Sequence, residues 1–112
     1  MGENMVKIYN KLVRDKIPEI IISNGGNPTT RILSDEEYKQ ELERKLLEEY
    51  NEVLQTKSKE ERIEELADML EIIKALAVIE NSSLEEVEEV SISKSLKRGG
   101  FEKKIYLEKV IE

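Results

Sequence analysis

Glu65 stands in an apolar column. On a helix advancing about 100° per residue it lines up with Met69, Ile72 and Leu76, at spacings of four, seven and eleven. Asp68 borders the same column, four residues before Ile72 and eleven before Ile79. A carboxylate facing a core without a partner is costly, so such a position calls for a cation, a hydrogen-bond donor or a local opening. A matching edge occurs one helix earlier. Leu42, Leu46, Tyr50 and Val53 form an apolar stripe, Glu49 sits at its border, and Glu52 follows three residues on. Glu48 lies one turn before Glu52 on the same side. Residues three apart on a helix point the same way, so the pairs Glu49/Glu52 and Glu65/Asp68 can converge when their helices lie side by side. Four carboxylates select a hard, oxygen-loving cation. Mg²⁺ fits if water or phosphate completes its coordination, with Mn²⁺ as a substitute.

The chain contains neither Cys nor His. Disulfides, thiolate nucleophiles, a Ser-His triad and most transition-metal sites are therefore excluded. Any catalysis would rest on carboxylates, Lys, Arg, Tyr or a bound cation. The string E-E-x-x-E alone says little, because Glu makes up about a fifth of the residues and the string occurs three times. The copies at Glu60-Glu61…Glu64 and Glu85-Glu86…Glu89 fall at helix starts, where acids favour the dipole. E-x-x-D occurs once, at Glu65–Asp68, among three Asp in all.

The elements that must position these acids are announced by their caps. Ser34, Ser58 and Ser83 each precede a Glu by three, a capping-box pattern. It predicts helices over 35–54, 59–80 and 84–98, joined by short connections and hence antiparallel. A shorter helix is expected over 15–23, with Pro18 tolerated in its first turn, Asp15 a possible cap, and Asn24-Gly25-Gly26-Asn27-Pro28 ending it. Gly99-Gly100 should stop the last helix. Short strands are expected near the termini, at 29–33 and 105–111, with residues 1–10 irregular or a short strand. The fold class is thus mainly all-α, an antiparallel helical bundle in one domain spanning 1–112.

The net charge of −7 disfavours nucleic acid as a partner. A polyphosphate would still be accommodated if cations neutralise its site, while simple solubility accounts for most surface Glu. No apolar run reaches membrane-spanning length and no signal peptide is evident, which makes a cytoplasmic location the default expectation.

E-E-x-x-E, twelve residues, then E-x-x-D continuing as ELADMLEIIKALA, resembles the MazG-type all-α nucleoside triphosphate pyrophosphohydrolases. YNKLVRDKIPEII near the start and KSLKRGGF near the end are similar to a small branch of that superfamily described as phosphoribosyl-ATP pyrophosphohydrolase-like. The resemblance covers residues 9–107. It implies a MazG-like bundle and Mg²⁺ held by Glu49, Glu52, Glu65 and Asp68. Glu48 would assist the metal or orient the attacking water. The implied reaction is hydrolysis of a nucleotide between the α and β phosphates, on a noncanonical nucleoside triphosphate or phosphoribosyl-ATP.

Two basic segments could meet the phosphates. Lys94, Lys97 and Arg98 share a helix face, followed by two glycines. They read either as dipole complementation at a helix C-terminus or as phosphate contacts, and the resemblance favours phosphate. Lys11 and Arg14 are candidate substrate contacts too, or surface partners for the acidic helices. Tyr9, Tyr38, Tyr50 and Phe101 could stack on a base, though core positions are the expectation for each. Broad apolar arcs in so short a chain predict self-association, as a homodimer or homotetramer. The rival reading is a non-catalytic helical module that binds protein partners or senses nucleotides.

Overall fold

Each of the three serines starts a helix. The computed structural model describes residues 5–112, which form α1 (Ile17–Ser23), α2 (Asp35–Gln55), α3 (Lys59–Ile79) and α4 (Leu84–Arg98). The Ser34, Ser58 and Ser83 hydroxyls accept from the backbone N–H of Glu37, Glu61 and Glu86. Only Ser34 completes the reciprocal box, with the Glu37 carboxylate accepting from the Ser34 N–H at 3.3 Å. The Glu61 carboxylate accepts instead from the Lys57 N–H, and that of Glu86 from the Ser82 hydroxyl. Arg31 donates to both Glu37 oxygens, at 3.3 and 3.0 Å. These hydrogen bonds, first that from Arg31 and then that from the Ser34 backbone, hold Glu37 down at about 2. Ser34→Ala is therefore expected to cost about 1 kcal/mol, and more than the same change at Ser58 or Ser83; urea denaturation of the three variants measures the order.

α2 lies along α3, α3 touches α4, and α1 packs on none of the other helices. The α2–α3 connection is short, so the two helices form an antiparallel hairpin, and that hairpin holds the core. Leu42 and Val53 of α2 and Ile72 and Ala77 of α3 are its buried apolar residues. Arg62 of α3 closes the end of α2 by donating to the Val53 carbonyl at 3.1 Å. Gly99, at a φ of 83°, ends α4 in the left-handed region that favours glycine.

Several expectations need correction. No strand forms among the described residues. Residues 29–33 and 105–111 have β-branched side chains but no partner ladder, and composition cannot supply one. Of the segment 1–10, residues 1–4 lie outside those described, and 5–10 are irregular. α1 begins at Ile17 rather than at 15. Lys16 occupies the cap with no side-chain bond, so Asp15 does not cap it. Tyr9, Tyr50 and Phe101 are exposed rather than core, and Tyr38 is half-buried.

The chain is long for its mass. It extends 74 × 36 × 25 Å with a radius of gyration of 19.4 Å, against about 13 Å for a compact domain of this size. Leu96, Phe101, Ile105 and Ile111 are almost fully solvated, and Ile63, Leu66 and Leu70 of α3 are about half exposed. Among the described residues no helix is long and apolar enough to cross a membrane.

Candidate metal centre

The α2–α3 seam brings three of the four predicted acids together. One carboxylate oxygen each from Glu49, Glu65 and Asp68 lies within 4.8 Å of the other two. Glu49 is the deepest. At 8% exposure it is the buried charged residue among the four apolar core positions. The apolar stripe of α2 thus carries it inward, beyond the border position its spacing suggested. Glu65 and Asp68 are half-buried. Glu52 is exposed, interacts with Glu65, and lines an open notch with Gln55, Thr56, Glu61, Glu64 and Glu65. Glu48 is exposed and lies outside the trio.

Glu49 Oε2 and Glu65 Oε2 are fully buried and have no hydrogen-bond partner. As two carboxylates they have no donor between them. A proton resolves part of the conflict: hydrogen bonds to Glu49 and Glu52, then burial and the neighbouring charges, push the Glu65 carboxyl up to about 7 from its ordinary 4.5. Glu49 is also raised, first by burial and then by the charges of Glu52 and Asp68, while hydrogen bonding with Glu65 and the charge of Lys45 oppose the rise. Lys45 Nζ stands 3.9 Å from Glu49 Oε1, one turn away on α2. The i, i+4 spacing on α2 is the sequence signal for this lysine. Asp68 Oδ1 accepts a 2.6 Å bond from Arg14 Nη2.

The donor set suits a divalent cation on chemistry and on spacing. All donors are carboxylate oxygens, two are orphaned in a buried seam, and opposite ligands of a hard divalent ion stand about 4–5 Å apart. A magnesium or manganese ion would be held by Glu49, Glu65 and Asp68, with Glu52 next to them. Of the predicted substrate contacts, Arg14 reaches these acids, at Asp68, and the other four pair with none of them. Lys94 and Arg98 line a groove along α4 with Val87, Val90 and Phe101. Lys94, Lys97, Arg98 and Lys11 form no ion pair among the described residues. Lys11 instead sits over the Tyr9 ring, 5.5 Å from its centroid.

No protein-family model matches the chain, and no solved structure resembles it closely enough to count as a match. An uncharacterised protein of Mycolicibacterium smegmatis is 51% identical over 43 residues, which is 38% of this chain and 44% of that protein. The matched stretch therefore spans less than half of that relative's length.

Proposed function

We propose that this chain is a Mg²⁺-dependent nucleotide pyrophosphohydrolase. It would cleave a nucleoside triphosphate, or a related nucleotide such as phosphoribosyl-ATP, between the α and β phosphates to give a monophosphate and pyrophosphate. The observation that carries the reading is the pair of buried, unpartnered oxygens of Glu49 and Glu65 beside Asp68. Apolar residues would fill that seam at lower cost, so a cation that the site serves is the economical account of acids there. The motif resemblance to MazG-type enzymes supports the choice of substrate class.

A bound Mg²⁺ would supply positive charge to polarise a phosphoryl oxygen and acidify a water. The chain's own groups do the rest. Glu49, Glu65 and Asp68 would hold the ion, with Glu52 completing the acidic face. Glu48 accepts a hydrogen bond from the attacking water and orients it. Lys94, Lys97 and Arg98 would offset charge on the leaving pyrophosphate where oligomerisation carries α4 to the site, and Lys11 and Arg14 would approach from the amino-terminal side. A homodimer or homotetramer would cover the apolar surface that α3, α4 and the carboxy-terminal segment leave in water.

Exposure of that surface also favours a second reading, a non-catalytic helical module that captures a protein partner or senses a nucleotide. A pyrophosphate-release screen over common and damaged nucleoside triphosphates and phosphoribosyl-ATP, with and without Mg²⁺, separates the two. The enzyme reading expects Mg²⁺-dependent release from at least one nucleotide. Stoichiometric nucleotide binding without release would favour the sensor.

A further inference from the structure

The segment over residues 5–16 is basic, with Lys7, Lys11, Arg14 and Lys16 against a single acid, Asp15. Lys7 and Lys11 both lie over the Tyr9 ring, at 5.0 and 5.5 Å from its centroid. The chain bends at Asn10, whose φ of 45° is in the left-handed region that Asn tolerates. Leu12 and Val13 are half-buried, whereas α1, which follows, rests on no other helix. Among the described residues, one hydrogen bond ties this segment to α2 or α3, and it is Arg14 Nη2 to Asp68 Oδ1. It therefore lands on one of the three acids of the candidate centre, 54 residues away in sequence.

The geometry points to Arg14 as a latch that competes with the divalent cation for Asp68. The inference rests on the cation reading of the Glu49–Glu65–Asp68 site and adds a coupling to it. The guanidinium is a cation at 2.6 Å from a carboxylate that a metal ion would also use. Two positive charges on one carboxylate repel, and each withdraws electron density from it. Linkage then requires reciprocity: cation binding loosens the latch by the factor with which the latch weakens cation binding. Both partners are about half exposed, so water screens the pair and the factor is modest, about two- to fivefold. Opening the latch frees the amino-terminal segment and leaves Arg14 available to an anionic ligand.

Mn²⁺ titration of the full chain, followed by the electron paramagnetic resonance of the free ion, tests this with the wild type and Arg14→Gln. The latch predicts two- to fivefold tighter Mn²⁺ binding in Arg14→Gln. Trypsin supplies a second measurement that needs no variant: cleavage after Lys11 should accelerate when Mn²⁺ is added to the wild-type protein. Weaker Mn²⁺ binding in Arg14→Gln would mean that the guanidinium positions Asp68 for the metal, and would overturn the latch. Equal affinities with Mn²⁺-independent cleavage would remove the latch and leave the cation site standing. Absence of saturable Mn²⁺ binding in both proteins would remove the cation reading and the latch together.

Discussion

Replacing Glu49 by Leu is expected to stabilise the cation-free protein and to abolish its divalent-cation binding. Both effects follow from one atom. Glu49 Oε2 is buried without a donor, between Leu42 and Val53 on the inward face of α2. Removing an unsatisfied buried polar group recovers about 1–3 kcal/mol, and the apolar Leu side chain joins Leu42 and Val53 in the seam. The same change deletes the deepest ligand of the proposed site. Mg²⁺-dependent turnover should then fall by about 100-fold or more. Urea denaturation in the presence of a chelator, alongside Mn²⁺ titration and pyrophosphate release, reads the opposed signs. Glu43→Leu, on the exposed side of α2, is the control and should change neither. A Glu49→Leu protein that is destabilised would show that the hydrogen bond shared with Glu65 outweighs the cost of burying the carboxylate.

Acidification should strengthen the cation-free protein and weaken its hold on a metal. The Glu65 carboxyl titrates near 7 in the fold against an ordinary 4.5, and Glu49 is raised in the same direction. The folded state thus keeps protons that the unfolded chain has already released. The resulting stability is present in full below 4.5 and is lost as pH rises through 7. Glu37, held at about 2 by Arg31 and Ser34, acts oppositely, but its contribution fades only as pH falls from 4.5 toward 2. Between about pH 5 and pH 8 the buried pair therefore governs, and the melting temperature in chelator should decline across that interval. Adding Mg²⁺ at about pH 8 should restore it, because the ion binds the deprotonated carboxylates, and its effect should vanish near pH 5. Thermal melts over this pH range, with and without Mg²⁺, measure both trends. A melting temperature that rises with pH in chelator would contradict the placement of these acids.

The helical frame was written plainly in the chain, because serine caps act locally. Ser34, Ser58 and Ser83 fixed three helix starts to the residue, and Gly99 fixed one end. The strands expected at 29–33 and 105–111 failed for the opposite reason: a strand exists only through a partner, and β-branched side chains do not name one. Within the site, the placement of Glu65 against an apolar column was legible from periodicity on α3. The depth of Glu49 was not, because it depends on how α2 rolls against α3. The Arg14–Asp68 bond was beyond reach in detail, since nothing in local spacing joins residues 54 apart. Tyr9, Tyr50 and Phe101 read as core by residue type, yet in this elongated chain there is little core to receive them.

The proposals above meet in one place, a divalent cation held in the Glu49–Glu65–Asp68 seam. Isothermal titration of the full chain with Mn²⁺ near pH 8, beside Glu65→Gln, addresses it most directly. Glu65→Gln keeps the side chain's shape and removes only its charge. Saturable Mn²⁺ binding is expected in the wild type, and loss of that binding in the variant. Unchanged binding in Glu65→Gln, or no saturable binding in the wild type, would contradict a cation in that seam.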